Sequence, residues 1–237
     1  MNKAPRTTEL LYELVEAEYT WRITELSNYR NAVLEEQNPK VKTAMLRGGV
    51  ALLYAHWEGF IKGGADLYYE FVTYQDCKLI ELNNAFVSIA LKGKINDLQT
   101  SKRLTANQDI VKLLIDKQHE KAFLPKESPI RTSNLTYDIF QDICTLLGLD
   151  IQLFENKVKS IDDDFDRNIE KTINEDLVNR RNTIAHGKYL MVNEEEYKRL
   201  YKIFVNKFLL TFKDLVIDAA QRKLYLRTPI NNYPPSL

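Results

Sequence analysis

Arg181, Asn182 and His186 lie within six residues of one another, in the run LVNRRNTIAHGKYL, and their side chains suit phosphodiester chemistry. A guanidinium holds phosphate oxygens through forked hydrogen bonds. An imidazole moves a proton near neutral pH. RNA carries its own nucleophile in the 2′-OH, so these groups are a sufficient kit for metal-free strand cleavage, and no metal or cofactor is expected. Arg181 and His186 also have plainer uses. Arg181 could pair with Asp176 or with a carboxylate on another helix. His186 could cap a helix C-terminus, where the dipole favours a protonated ring.

The three residues need an element to position them. Apolar periodicity places them near the end of a polar helix running to about residue 186, with Ile173, Leu177 and Ile184 as its buried seam. Position 181 falls where that seam asks for an apolar residue, so its charge needs a partner or a ligand. Asn182 and His186 are four apart and share a second face, kept partly apolar by Val178, Ala185 and Tyr189. On an ideal helix Arg181 and His186 stand about 140° apart and ~7.5 Å along the axis. One chain therefore supplies half a site, and two motifs brought together by a dimer could complete it. Arg180 and Lys188 flank the motif as candidate phosphate contacts, or as solvated surface charges.

The rest of the chain predicts a helical scaffold. A long amphipathic helix is expected over 6–36, with Leu10, Leu14, Ala17, Trp21 and Val33/Leu34 inward, a cap at Thr7 or Thr8, and an end at Asn38-Pro39. Pro39 suits the first turn of a second helix, 39–73. That helix holds Gly48, Gly49, Gly59, Gly63 and Gly64, which predict close approach of a neighbour or a break near Gly63-Gly64. Helices follow over 78–92 and 104–120, separated by Gly93 and the run Gln99-Thr100-Ser101. Residues 121–134 read as a loop with room for a short hairpin. Thr136 caps a helix of residues 137–147 closed by Gly148. A short segment, 151–160, leads to the motif helix. The last helix runs from Glu194 to about Leu224, with Tyr197, Leu200, Tyr201, Phe204, Phe208, Phe212, Leu215 and Ile217 inward. The reading is all-α: one domain over 1–225 with an insertion at about 76–134, and a tail over 226–237 whose last ten residues are extended or mobile.

Composition narrows the function. Thirty-three basic and 33 acidic residues give no net charge, against a protein that coats nucleic acid non-specifically. Cys77 and Cys144 form no ligand spacing and predict no disulfide framework. The first residues lack an apolar signal core, and no run is apolar enough to span a bilayer, so a cytoplasmic protein without membrane association is expected. Asp162, Asp163, Asp164 and Asp166 start like a calcium loop. However, Arg167 stands where that loop wants glycine and Ile173 where it wants glutamate, so a solvated helix start is preferred. His56 beside Trp57 reads as a core histidine bonded to a neighbour, and His119 as exposed. Most of the 13 tyrosines read as core. Gly-rich phosphate loops, Ser–His–Asp sets and zinc spacings are absent from the sequence.

The string RRNTIAHG resembles the motif of the HEPN superfamily, the higher eukaryotes and prokaryotes nucleotide-binding domains: an arginine, a polar residue, three further residues and a histidine. The segments LRGGVALLYAHWEGFIKGG and SNLTYDIFQDICTLLGLD are similar to its prokaryotic MAE-type branch, so the likeness runs from about residue 40 to 220. The resemblance implies a HEPN-type bundle of long antiparallel helices with an extra helical insertion. It implies a homodimer with motif helices facing across the two-fold. It also implies a metal-independent endoribonuclease, a toxin or phage-defence effector with an antitoxin or defence-complex partner. Carried over, Arg181 binds the scissile phosphate, Asn182 orients the histidine or the phosphate, and His186 is general base or acid. The alternative the resemblance leaves open is a non-catalytic HEPN dimerisation or nucleotide-binding subunit.

Overall fold

A computed structural model of the chain describes residues 4–101, 103, 105–160 and 168–227. Within them the chain is all-α: eight helices and two isolated bridges, with no strand or sheet. Helix α1 (Thr8–Glu35) and helix α2 (Pro39–Thr73) form the long hairpin that frames the molecule. Thr7 accepts from the Leu10 N–H (3.2 Å) and Asn38 from the Lys40 N–H (3.0 Å), and Pro39 occupies the first turn of α2. Then come α3 (Asn84–Thr100), α4 (Ala106–Ile115), α5 (Tyr137–Leu147) and α6 (Ile151–Ser160). Two helices change winding along their length. Helix α7 comprises α-turns over Ile169–Lys171, a π-wound stretch over Thr172–Asn179 and α-turns over Arg180–Ala185. Helix α8 comprises Glu194–Ile203, a π-wound Phe204–Leu209, and Leu210–Gln221.

Helix α2 is the hub, packed on α1, α5, α7 and α8. Its Trp57 is fully buried, and three rings surround it: Phe140 of α5 (centroids 5.3 Å), Phe204 (5.7 Å) and Phe208 (5.7 Å) of α8. Edge-on and tilted rings at this spacing add to what their burial contributes. The α2 glycines serve this packing. A Cβ at Gly49 would lie 2.5 Å from the Tyr197 ring, and one at Gly64 would lie 3.1 Å from that of Phe212. Close approach therefore explains Gly49 and Gly64 but not Gly63, whose nearest neighbour would be 3.9 Å away, and α2 runs through Gly63-Gly64 without a break.

Other expectations shift. Leu11, Val15, Leu26 and Val33 are the buried apolar residues of α1, one position on from Leu10 and Leu14, and Ala17 and Trp21 are exposed. The doubled residues Leu10-Leu11 and Leu14-Val15 offer two neighbouring stripes, and periodicity alone does not choose between them. The predicted 78–92 helix begins at Asn84, because Asn83 caps it through the Phe86 N–H (3.1 Å). It continues through Gly93, which is tolerated on an exposed face, and ends at Thr100. The predicted 104–120 helix is shorter, Ala106–Ile115. No hairpin forms over 121–134, where a single bridge joins Lys121 to Lys78. The last helix stops at Gln221, and the start of the predicted tail returns to the chain before α3: Leu226 lies across an antiparallel bridge from Leu82, with Arg227 N–H donating to the Glu81 carbonyl (2.7 Å) and Asn83 N–H to that of Tyr225 (2.8 Å). Residues 228–237 lie outside the described residues, as do Asp162, Asp163, Asp164 and Asp166.

Candidate active site

The motif sits at the end of α7, and the winding of that helix decides where each side chain goes. Asn168 caps it through the Lys171 N–H (3.1 Å). Over Thr172–Asn179 the buried residues come as pairs five apart, Thr172-Ile173 and Leu177-Val178. That spacing follows from the wider turn of a π-helix. Tighter α-turns resume at Arg180, so the uniform seam through 173, 177, 181 and 184 is not kept: Arg181 and Ile184 are only half-buried. The helix closes in a Schellman motif. Lys188 N–H bonds the Thr183 carbonyl (3.1 Å) and Gly187 N–H that of Ile184 (3.0 Å). Gly187 takes the left-handed conformation this needs, at φ +70°. His186 occupies the capping position, its backbone N–H on the Asn182 carbonyl (3.0 Å).

Arg181 lies over the face of Tyr54 from α2, its guanidinium carbon 3.7 Å from the ring centroid. Its Nη2 donates to Asn134 Oδ1 (3.1 Å), and it pairs with no carboxylate among the described residues. The carboxylates within reach of the motif are engaged elsewhere. Asp176 holds Arg199 (3.1 Å), and Glu196 holds Arg180 (3.1 Å). That second pair keeps the Glu196 carboxyl below its usual range. The support under Arg181 is itself fixed. The Tyr54 oxygen accepts the Leu135 N–H (2.7 Å), and burial raises the Tyr54 phenol above its ordinary value. Asn134 adopts a left-handed backbone (φ +62°) just ahead of the Thr136 cap of α5. Tyr54 and Asn134 were not singled out from sequence. Tyr54 looked like one more core tyrosine, and only the short Asn134–Thr136 turn marked the other.

Asn182 is half-buried and His186 exposed, and neither side chain has a hydrogen-bond partner among the described residues. No hydrogen bond joins Arg181 to His186 among the described residues. Beyond the motif Lys188 and Tyr189 are exposed. Arg47 of α2 reaches this end: Nη2 donates to the Lys188 carbonyl (3.0 Å), and the guanidinium carbon lies 5.6 Å from the Tyr189 ring centroid. Arg47 was also missed from sequence. It places a second cation at the free end of the motif, whereas Arg180 is committed to Glu196.

The remaining candidates lie elsewhere. His56 is buried, with Nε2 2.7 Å from Glu25 Oε2 and its ring edge-on to Trp21. Burial holds its imidazole below the ordinary value, against the opposing pull of Glu25. His119 is exposed. Cys77 and Cys144 are free thiols, and burial raises both. Among the described residues no three His, Cys, Asp or Glu side chains are grouped as metal ligands would be, and no helix is long and apolar enough to cross a membrane.

A bundle of long helices with an Arg-Asn-x-x-x-His motif at one helix end defines a class of protein, and comparison with known families agrees. The family model described as HEPN_MAE_28990-like HEPN matches residues 11–225. The chain belongs to this HEPN family. No curated protein and no solved structure matches it.

Proposed function

We propose that this chain is a metal-independent endoribonuclease acting as a toxin or phage-defence effector, with an active site assembled from two motifs across a homodimer. The observation that carries the reading is the state of Arg181. It is a half-buried cation held by a ring face and an amide oxygen, with no carboxylate to neutralise it, although carboxylates stand nearby. Such a charge is costly unless a ligand anion completes it, and the scissile phosphate is that anion. In the proposed reaction the RNA 2′-oxygen attacks phosphorus and the bond from phosphorus to the 5′-oxygen breaks. Arg181 stabilises the charge that develops on the phosphoryl oxygens. His186 takes the 2′-OH proton or delivers one to the leaving 5′-oxygen, and the partner's motif supplies the complementary group. Asn182 orients the imidazole or the phosphate. Lys188 and Arg47 extend the positive rim. The products are a 2′,3′-cyclic phosphate and a 5′-OH end.

His186→Ala and Arg181→Ala should each lower cleavage of an RNA substrate by about 10²-fold or more, with unchanged circular dichroism and oligomeric state. Wild-type cleavage should persist in a chelator. Cleavage that survives both substitutions, or that stops in chelator, rejects the proposal.

One observation favours a second reading, a non-catalytic dimerisation or nucleotide-binding subunit: among the described residues no hydrogen bond orients the His186 ring. That reading expects wild type and both variants to be equally inert on RNA.

A further inference from the structure

The linker from α7 to α8, residues 188–193, turns its side chains alternately in and out. Leu190 packs against the core and Val192 is buried in it, so every second residue pins the chain. The alternation sends Tyr189 and Met191 outward, 75% and 73% exposed. Apart from Phe123, no large apolar side chain on the described surface stands more open. A lone exposed apolar residue calls for no account. These two, however, follow directly on His186, whose imidazole is exposed as well.

The Tyr189 ring rests against a cation. Arg47 of α2 donates from Nη2 to the Lys188 carbonyl (3.0 Å), and its guanidinium carbon lies 5.6 Å from the ring centroid. Arg47 is half-buried, its Nε is buried without a hydrogen-bond partner, and no carboxylate pairs with it among the described residues. The three acids that open α8 are engaged: Glu194 with Lys42 and Lys198, Glu195 with Lys198, and Glu196 with Arg180. The charge left uncompensated around the ring is that of Arg47 and Lys188, both positive. Arg47 stands two turns before Tyr54 on α2, ~10 Å along the axis, so its cation is a separate point from the one that Arg181 sets over Tyr54.

We propose that Tyr189 is a stacking platform for an unpaired base of the RNA strand, with Arg47 holding a phosphate beside the one that Arg181 binds; this rests on the reading of RNA as the ligand of the Arg181–His186 site. An open ring backed by a guanidinium offers a base its π face while the cation meets the backbone. Met191, on the same side of the linker, widens the apolar ledge under that base. A base that stacks on a side chain has left its duplex, so the strand is single where it crosses the linker. A second copy of the linker seated on the first would instead set Arg47 and Lys188 against their own likes. The platform lets the strand be gripped by a base as well as by phosphates, in a chain whose net charge is zero.

The test is fluorescence anisotropy with two labelled probes of equal length, a single-stranded RNA of mixed sequence and an abasic ribose-phosphate strand. The protein is the full chain carrying His186→Ala, which keeps the RNA intact. Adding Tyr189→Ala should weaken RNA binding about fivefold or more and leave the abasic strand within about twofold. Tyr189→Trp should keep the preference for the strand with bases. Arg47→Ala should weaken both probes and lower the slope of log affinity against log salt by ~0.7, a change that Tyr189→Ala should not make. Light scattering should give one oligomeric state for all variants. Equal binding of the two probes, an equal loss of both on Tyr189→Ala, or a lower oligomeric state of Tyr189→Ala overturns the proposal. Cleavage of the RNA by proteins with His186 intact separates it from the nuclease reading. If wild type cleaves and Tyr189→Ala does not alter RNA binding, the platform fails alone. If RNA is bound with the expected ring dependence but never cleaved, the platform stands and the nuclease reading fails. If RNA is neither bound nor cleaved, both fall.

Discussion

Tyr54 and Asn134 do for Arg181 what a carboxylate would otherwise do, without cancelling its charge. A cation over a ring face gains about 0.5–2 kcal/mol while staying able to bind an anion. The ring and the hydroxyl of Tyr54 can be separated by mutation. Tyr54→Phe keeps the ring under Arg181 but leaves the buried Leu135 N–H without its acceptor. It should cost about 1–3 kcal/mol of stability in urea unfolding while cleavage stays within about twofold. Tyr54→Leu removes the ring as well and should lower kcat/KM by a further ~3–30-fold. Equal cleavage by the two variants would remove Tyr54 from the account. Asn134 and Tyr54 fall inside the two family-like segments, but nothing local ties either to Arg181: one is a turn residue 47 positions away, the other a tyrosine among 13. Another prediction concerns His56. Its folded value is depressed by burial, with Arg22 acting in the same direction and Glu25 against it. The unfolded chain takes up this proton near pH 6.5, before the folded chain does. Stability contributed by neutral His56 is therefore present above that pH and lost as pH falls through and below it. Urea midpoints at pH 7.5 and 5.5 should differ more for wild type than for His56→Gln, and parallel shifts would reject the assignment.

The helix ends were legible because their signals are local: a Thr or Asn side chain on a free N–H, a proline in the first turn, Gly148 in the left-handed region. What was not legible depends on packing between elements. In its first turns α1 faces inward one residue on from the expected Leu10 and Leu14, while Val33 is buried as expected, because two adjacent apolar stripes compete and contact with α2 and α8 decides between them. The π-winding of α7 was missed because a 3.6-residue period was assumed throughout, although its own residues carry the five-residue spacing. Glycines show the same division. Gly93 lies on the exposed side of α3 with nothing within 4 Å of an added Cβ, so Gly93→Ala should stabilise by about 0.5–1 kcal/mol through helix propensity alone. At Gly49 the same methyl would meet the fully buried Tyr197 ring at 2.5 Å, and Gly49→Ala should destabilise by about 1–3 kcal/mol. Urea unfolding of the two variants separates these cases by sign. A stabilising Gly49→Ala would mean that α2 and α8 do not pack this closely.

At the scale of the whole molecule the question is which Arg181 works with which His186. Within one chain the guanidinium is turned onto Tyr54, and the imidazole stands exposed at the C-cap, with no hydrogen bond between them among the described residues. Under the proposed dimer each site can draw its arginine and histidine either from the same chain or from opposite chains. Mixing Arg181→Ala with His186→Ala protein, after mild unfolding and refolding to exchange subunits, distinguishes the two. If each site takes Arg181 from one protomer and His186 from the other, the mixed dimer holds one site with both residues intact and one lacking both. Half of a statistically exchanged population is mixed, so cleavage should return to about a quarter of wild type, from a background of about a hundredth or less in either parent. If both residues act from the same chain, no site in the mixture is intact and activity stays at the parental background. No recovery despite verified exchange, together with active wild type, would reject the pairing of one protomer's Arg181 with the other's His186, leaving a site that draws both residues from one chain or one that needs both copies of the motif at once.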